Sequence, residues 1–267
     1  MSESSECPLF VCSDCEQASA LANELSLPLA EPSSVLPDNA CMLRFDASGL
    51  GIEWAGRKQN QRFVVDFTDP VWRQRRQRGS EMLVKAMGGG QQRQALWDLT
   101  AGWGRDAWVL AMHGYPVQMI EQNPVVVALL GDALKRAEQF GGEVAETAQR
   151  VTLIGDRAES VLAAAAVPVP LIYMDPMFET KSKKQALSGK DLQWLQRLNS
   201  QTADADEAGP AEGLTTEALV IEALGRAEYR VVVKRSAKAP VLVADRRSHF
   251  LSGKAHRFDI YGLKKLP

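Results

Sequence analysis

Residues 170–178 place a set of polar and aromatic groups at the end of an apolar run. The run PLIYM leads directly into Asp175, Pro176, Met177 and Phe178. At the end of a buried strand, the Asp175 carboxylate can accept a hydrogen bond from an exocyclic amine. Pro176 has no N–H of its own, which leaves nearby carbonyls free as further acceptors. Phe178 offers a face on which a planar base can stack. Asp175, Pro176 and Phe178 are therefore the candidate catalytic residues, with an ordinary strand-ending turn as the alternative.

A second stretch, DLTAGWGRDA, combines glycines with acids. It contains Asp98, Gly102, Gly104 and Asp106. Glycines at a strand-to-helix turn let the backbone approach a ligand, and the first turn of the helix offers free N–H groups. The stretch also fits G-x-G-x-x-A, a dinucleotide-binding pattern. A glycine pair at a turn that binds nothing is the alternative.

Two further acids follow later apolar runs. Glu121 ends the run VQMI, where an acid accepts hydrogen bonds from both ribose hydroxyls of an adenosine ligand. Glu121 alone does not distinguish between NAD and S-adenosylmethionine, because both carry an adenosine ribose. The segment GDRA places Asp156 and the backbone of Arg157 and Ala158 where an adenine edge would lie. Asp156 is equally suited to be the N-cap of the helix RAESVLAAAA.

Alternating strand and helix patterns position these residues from about residue 93 onward. The predicted strands lie in QALWDLTAG, YPVQMIE, RVTLIGD, PLIYMD and YRVVVK, with helices between them and a closing hairpin in SHFLSGKAHRFDIYGL. One of the helices starts at the N-cap Asn123 and ends at Gly141. This alternation predicts an α/β fold with a mostly parallel sheet. Asp175 then lies beside the glycine turn, because ligands bind beyond the carboxyl ends of the strands.

The amine-binding residues around Asp175 favour S-adenosylmethionine over NAD, because hydride transfer by a dehydrogenase does not require acceptors for an amine. The expected chemistry is attack of an amine nitrogen on a methyl sulfonium, with the acceptors stabilising the positive charge that develops on nitrogen. No metal is required.

The N-terminal part of the chain has a different pattern. Short strand signals in PLFVC, CMLRF, LGIEWAG and FVVDF are interrupted by the helix pattern CEQASALANEL. We predict a small α+β N-terminal domain over residues 1–90 and a larger domain over residues 91–267. Cys7, Cys12 and Cys15 match a plant-type iron–sulfur spacing. A strand followed by a helix explains the same residues.

Composition limits the partners of the protein. The chain has 267 residues, 45% of them hydrophobic, and a formal net charge of −2. A general nucleic-acid binder would be strongly basic. No apolar run could span a membrane and no secretory signal is visible, so a cytoplasmic location is expected. Local basic clusters are candidate phosphate contacts or solvated faces: Arg73, Arg75, Arg76, Arg78, Lys234, Arg235, Lys254 and Arg257. Lys254 and Arg257 could also serve only the closing hairpin.

Five blocks of the sequence resemble one family. DLTAGWGRDAWVLAMHG, VQMIEQNPVVVALL, LIYMDPMF, RVVVKRSAKAP and KAHRFDIY resemble the RsmJ family, bacterial small-subunit rRNA guanine-N2 methyltransferases that use S-adenosylmethionine. The resemblance covers roughly residues 62–263 and implies a class I, Rossmann-like methyltransferase with a seven-stranded sheet after a small N-terminal domain. It also implies site roles: Arg105 and Asp106 contact the cofactor, Glu121 and Gln122 hold the ribose region, Arg157 and Ala158 line the adenine, and Asp175 lies between cofactor and base.

Some positions depart from that family. Gln122 stands where an arginine is usual, and Asp156 and Arg157 stand where small residues are usual. The expected activity is methyl transfer to the N2 amine of a guanosine in 16S rRNA, on free RNA or on the small subunit. The alternatives are an amino-methyltransferase that acts on another RNA base or on DNA adenine, and an NAD-dependent oxidoreductase.

Overall fold

The computed structural model describes residues 8–37, 40–54, 62–78, 80–89, 93–176, 194–195, 197–199 and 215–267. These residues form two β-sheets with helices between and around them. The larger sheet carries the candidate site. The smaller sheet packs against helices that cover one face of the larger sheet.

The elements of the small sheet are β1 (Leu9–Cys12), α1 (Glu16–Leu25), β2 (Leu29–Ala30), β3 (Cys41–Asp46), β4 (Gly49–Trp54) and β5 (Phe63–Val64). The five strands lie in the order β2-β1-β3-β4-β5. β1 runs parallel to β2 and β3, and the remaining pairs are antiparallel. Cys12 ends β1 and Cys15 is the N-cap of α1, which confirms the strand-then-helix interpretation, while Cys7 lies outside the described residues.

Two helices connect the sheets, and the large sheet follows. In chain order the elements are α2 (Pro70–Arg78), α3 (Glu81–Met87), β6 (Leu96–Asp98), α4 (Arg105–Met112), β7 (Val117–Glu121), α5 (Pro124–Phe140), α6 (Gly142–Ala148), β8 (Val151–Gly155), α7 (Ala158–Ala164), β9 (Val169–Met174), α8 (Thr216–Arg226), β10 (Ala227–Ser236), a 3₁₀ turn (Ala244–Arg246), β11 (His249–Ser252) and β12 (His256–Gly262).

The large sheet has seven strands in the order β11-β12-β10-β9-β6-β7-β8. The neighbours from β10 to β8 are all parallel, and β12 runs opposite to both β10 and β11. The predicted seven-stranded, mostly parallel α/β sheet is thus confirmed. The strand order reverses beside β6, where a crevice opens at the carboxyl ends of the strands.

Helix α5 shows why the sequence signals worked here. The Asn123 side chain caps its start by accepting from the N–H groups of Val125 at 3.0 Å and Val126 at 3.3 Å. Its buried residues recur at helical spacing: Val125, Val126, Leu129, Leu130, Ala133, Leu134 and Ala137. Gly141 ends the helix as predicted, with a φ of +85°. The short helix α6 that follows was not predicted, because the chain turns at Gly141 and Gly142 and folds back within a few residues.

The hydrophobic core runs across the predicted domain boundary. One cluster contains Val11, Leu43 and Ile52 from the small sheet together with Val126 and Leu130 from α5. Rings also meet across it, since Phe67 stacks on Trp108 with centroids 4.2 Å apart. A division at residue 90 stays a prediction. Within the described part of the chain, no helix is both long enough and apolar enough to cross a membrane.

Candidate active site

The glycine turn between β6 and α4 depends on left-handed backbone conformations. Gly102 has a φ of +51° and Gly104 a φ of +67°. A Cβ atom at Gly104 would lie 3.0 Å from Leu130 Cδ2 and 3.1 Å from Met119 Sδ. Side chains are disfavoured both by the conformation and by the space, so the turn requires glycine at this position. The prediction of a tight strand-to-helix turn is confirmed in its geometry.

Glu121 fixes this turn from the end of β7. Its Oε2 accepts the N–H of Gly102 at 2.9 Å, and its Oε1 accepts the N–H of Asn123 at 2.9 Å. Burial raises the pKa of Glu121, and the backbone N–H groups partly offset that rise. Each carboxylate oxygen has a second lone pair, so the side chain can hold the turn and still accept from a ligand.

Asp175 follows β9 and is held in place from two directions. Its backbone N–H donates to Thr100 Oγ1 at 2.6 Å, which ties it to the end of the neighbouring strand β6. Its Oδ2 lies 2.8 Å from the Nζ of Lys234 on β10. Burial raises the pKa of Asp175, the Lys234 ammonium lowers it, and the charge of Asp106 raises it again. The net direction is upward from the ordinary carboxyl value.

Asp106 joins the same network from the first turn of α4. Its Oδ2 accepts from the hydroxyl of Tyr173 at 2.6 Å and from Lys234 Nζ at 2.7 Å. Burial alone would lower the pKa of Lys234, but the carboxylates of Asp106 and Asp175 raise it above its ordinary value. Lys234 therefore stays cationic at physiological pH.

Asp98 is the most buried acid of the group, with 2% of its surface exposed. Its Oδ1 accepts the N–H of Thr100 at 3.1 Å. Burial raises the pKa of Asp98 well above its ordinary value, the Thr100 N–H lowers it, and the charges of Asp106 and Asp175 raise it further. The acids of the site are thus close enough to raise one another's pKa at the end of β6.

These groups line one cleft with a volume of about 510 Å³ at the carboxyl edge of the large sheet. The predicted residues that line it are Asp98, Gly102, Arg105, Asp106, Glu121, Gln122, Asp156, Arg157, Ala158, Asp175 and Pro176. Gly104 instead packs beneath the turn. Phe178 lies outside the described residues. Asp156 is exposed, and the N-cap of α7 is Arg157, so the interpretation of Asp156 as an N-cap was wrong: its Oδ1 accepts from the adjacent Arg157 N–H at 2.6 Å.

Thr100 and Tyr173 belong to the site and were not predicted. Both lie within segments that were singled out, but each contributes through a contact with another strand or helix. Lys234 was predicted to contact phosphate, whereas the structure places its ammonium inside the cleft between two carboxylates. Its signal was the same as that of Asp175, a charged residue near the end of an apolar strand.

The other predicted phosphate contacts are spread over the molecule. Lys254 is exposed and Arg73 on α2 is half-buried, while the side chains of Arg75, Arg76 and Arg78 lie outside the described residues. Arg235 and Arg257 are only 4% and 7% exposed.

Arg257 works within the closing hairpin. It binds both oxygens of Asp259, at 2.9 and 3.1 Å, and donates to the carbonyl of Ala237 at 3.0 Å. These contacts favour the closing-hairpin alternative for Arg257.

The comparison with known proteins bears directly on this cleft. A family model described as a putative SAM-dependent methyltransferase matches residues 28–263. A ribosomal RNA small subunit methyltransferase J from Cellvibrio japonicus is 35% identical over 97% of this chain and 98% of its own length. Its counterpart from Thioalkalivibrio sulfidiphilus is 38% identical over 92% of both chains. The chain belongs to the ribosomal RNA small subunit methyltransferase J family.

A solved structure supports the fold of this methyltransferase J family member. The SAM-dependent methyltransferase from Neisseria gonorrhoeae superposes with a TM-score of 0.70 at 27% identity and covers 95% of both chains. The class I methyltransferase fold and the resemblance stated from the sequence are both confirmed. The cofactor is S-adenosylmethionine, so the family match excludes the NAD-dependent alternative.

The cleft fits this cofactor by its own chemistry. A sulfonium cation is favoured because the cleft is lined by more acidic side chains, Asp106, Glu121, Asp156, Glu159 and Asp175, than basic ones, Arg105, Arg157 and Lys234. Glu121 retains lone pairs for ribose hydroxyls beside a glycine turn that lets the backbone approach closely. Among the described residues, no group of three or more His, Cys, Asp or Glu side chains could hold a metal ion.

Proposed function

We propose that the protein transfers a methyl group from S-adenosylmethionine to the exocyclic N2 amine of a guanosine in small-subunit (16S) ribosomal RNA. The observation that carries this proposal is the position of Asp175. Its carboxylate stands at the cleft, next to the glycine turn, and is held by Thr100 and Lys234. The names of the methyltransferase J relatives point to small-subunit ribosomal RNA as the substrate.

Binding of the cofactor is assigned to the residues around the glycine turn. Glu121 and Gln122 hold the ribose, and Asp156 with the backbone of Arg157 and Ala158 lines the adenine. Gly102 and Gly104 shape the turn, while Asp98, Arg105 and Asp106 contact the remaining part of the cofactor. When bound, S-adenosylmethionine supplies an electrophilic methyl group.

The contribution of the protein to the chemistry lies in orienting and stabilising the amine. The N2 lone pair of guanine is delocalised into the ring, so the amine is a weak nucleophile. The Asp175 carboxylate and a carbonyl next to Pro176 accept hydrogen bonds from the amine and favour a tetrahedral nitrogen. The carboxylate also stabilises the positive charge that develops on nitrogen. Phe178 is proposed to stack on the base.

RNA contacts are assigned to the basic helix α2 and to Lys254. Helix α2 contains Arg73, Arg75, Arg76 and Arg78 within nine residues. The target base must leave its stack to enter the cleft, and phosphate contacts on a local basic surface supply binding energy for that step. Arg235 and Arg257 are buried in the structure, so neither is included among the proposed RNA contacts.

The double substitution Arg75→Ala/Arg76→Ala tests helix α2. Losing two phosphate contacts should reduce the slope of log K against log salt by roughly 1.4–1.8. Lys264→Ala removes an exposed charge outside helix α2 and serves as the control. An unchanged slope in the double variant would remove α2 from the RNA interface.

Nucleoside identification tests the proposed function itself. Small subunits from cells that lack this protein are incubated with the enzyme and methyl-labelled S-adenosylmethionine, then digested to nucleosides. Label in N2-methylguanosine is expected. Label in another nucleoside would refute the guanine assignment and leave the methyltransferase intact. Parallel reactions on free 16S rRNA distinguish the two forms of the substrate.

The proposal also includes a cytoplasmic location for the protein and a division into two domains at residue 90.

A further inference from the structure

Lys234 occupies an unusual position, because one ammonium group serves two carboxylates from different elements. It lies on β10, one residue beyond Val233, which pairs with Met174 of β9. This register puts Lys234 level with Asp175. Its Nζ is 2.7 Å from Asp106 Oδ2 and 2.8 Å from Asp175 Oδ2.

We propose that Lys234 is a positioning residue for methyl transfer, which keeps the Asp175 carboxylate ionised and aimed into the cleft and connects it to Asp106 at the glycine turn. This inference rests on the proposed function, because it takes Asp175 to be the acceptor of the amine. It assigns Lys234 a role in the chemical step and no role in contacting phosphate.

The geometry makes Lys234 the link between the two halves of the cleft. Asp106 lies in the first turn of α4, the helix that follows the glycine turn, and its Oδ2 also accepts from the Tyr173 hydroxyl at 2.6 Å. Asp175 lies at the end of β9. These contacts link Tyr173, Asp106, Lys234 and Asp175 in one series. They therefore fix the part of the cleft that binds the cofactor relative to the part that binds the amine. An ammonium with three N–H donors can make both contacts at once.

Several charged or titratable groups face Asp175 from the surrounding elements. They are Lys234 from β10, Asp106 from α4, His256 from β12, Asp98 from β6 and Tyr173 from β9. Burial and Asp106 both raise the pKa of Asp175, and Lys234 is the main group that lowers it. Without Lys234, the carboxyl would hold a proton at higher pH. A protonated Asp175 could no longer stabilise a positive charge on the amine.

If Lys234 contacted phosphate, its substitution would change RNA binding rather than the chemical step. An exposed lysine that binds the RNA backbone affects affinity and its salt dependence. The Lys234 side chain is only 22% exposed and both its carboxylate partners line the cleft. The positioning role predicts an effect on kcat that depends on pH, with little change in the KM for the small subunit.

The test is a pH–rate profile from about pH 4.5, close to the ordinary carboxyl pKa, to about pH 9 at saturating cofactor and small subunits. Lys234→Met removes the charge while keeping an unbranched side chain. The acid limb of kcat should move upward by about 1–3 pH units, because an opposite charge at this distance shifts a carboxyl pKa by that amount. Lys234→Arg keeps the charge and should return the limb toward its wild-type position. Lys264→Met, which removes an exposed lysine, should leave the profile unchanged.

Two results would overturn the proposal. One is a uniform loss of kcat in Lys234→Met with an unmoved acid limb, which a purely structural role would give. The other is a raised KM for the subunit with an unchanged kcat, which a phosphate contact would give.

A second variant covers the case in which Lys234→Met does not fold by circular dichroism. Lys234→Gln also removes the charge but keeps a side-chain amide that can donate a hydrogen bond, so its acid limb should likewise move to higher pH. An unmoved limb there would equally overturn the proposal. Wild-type protein that leaves small subunits unmethylated would refute the proposed function. An active wild type with unmoved limbs refutes the role of Lys234 alone.

Discussion

Two ionic clusters on neighbouring strands show how the same residue types serve different purposes. The cleft cluster consists of Lys234, Asp106 and Asp175, and the hairpin cluster consists of Arg247, Arg257 and Asp259. Lys234 is followed by Arg235, which pairs with Arg257 across the strands. Because successive residues of a strand point to opposite faces, the clusters lie on opposite sides of the sheet.

The clusters differ in charge balance and in burial. In the hairpin cluster two guanidinium groups serve one carboxylate, and Asp259 is only 1% exposed. In the cleft cluster one ammonium serves two carboxylates, and the side chain of Asp175 is 40% exposed. The hairpin cluster holds one almost fully buried carboxylate with two guanidinium groups, so it stabilises structure. The cleft cluster leaves negative charge facing a cavity, which suits a cationic cofactor and a developing positive charge.

The largest expected effect on stability comes from breaking the hairpin cluster. Asp259→Asn removes the charge that two guanidinium groups share in a buried site, which should lower the free energy of unfolding by about 3–5 kcal/mol. Urea denaturation measures this loss. Asp245→Asn, at an exposed acid in the adjoining 3₁₀ turn, should change stability by less than about 0.5 kcal/mol. Equal effects in the two variants would contradict the structural role of the cluster.

Removing the buried carboxyl group of Asp98 from the cleft should instead stabilise the folded protein. Burial raises the pKa of this carboxyl in the folded state, so the folded protein favours the protonated form. Wild-type stability is therefore lost as pH rises from the ordinary carboxyl pKa through the raised one. Asn is neutral throughout and can still accept the Thr100 N–H. Asp98→Asn should therefore raise the Tm relative to wild type, more at pH 8 than at pH 4. A pH-independent difference in Tm would show that the charge of Asp98 carries no such cost.

A smaller effect is expected at the glycine turn. Gly104→Ala puts a side chain into a left-handed conformation and within 3.1 Å of Leu130 and Met119, which should cost about 1–3 kcal/mol. Gly131→Ala is the matched control within helix α5, where a Cβ meets no atom within 4 Å. That control should gain roughly 0.5–1 kcal/mol. Similar Tm values for both alanine variants would contradict the requirement for glycine.

Residues that end buried strands could be predicted well from the sequence. Asp98, Glu121 and Asp175 each follow an apolar run, and parallel strands bring their carboxyl ends to one edge. The α/β pattern fixes this juxtaposition before any contact is known. The N-cap Asn123 was likewise predictable, because its side chain acts on backbone groups two and three residues away.

Contacts between distant segments could not be predicted in the same way. The pairing of Lys234 with Asp106 spans 128 positions and depends on β10 lying beside β9. The role of Tyr173 depends on its contact with α4, across the strand–helix packing. The continuous core beneath both sheets likewise arises from tertiary packing, which local patterns in residues 1–90 do not show.

The most direct test of the account compares Asp175→Asn with Asp259→Asn in single-turnover methyl transfer to small subunits, at equal concentrations of folded protein. Asp175→Asn should lose activity by a factor on the order of 10²–10⁴ while S-adenosylhomocysteine still binds. Asp259→Asn should transfer the methyl group at nearly the wild-type rate under conditions where it remains folded. A wild-type rate in Asp175→Asn would contradict the assignment of this carboxylate to the chemical step.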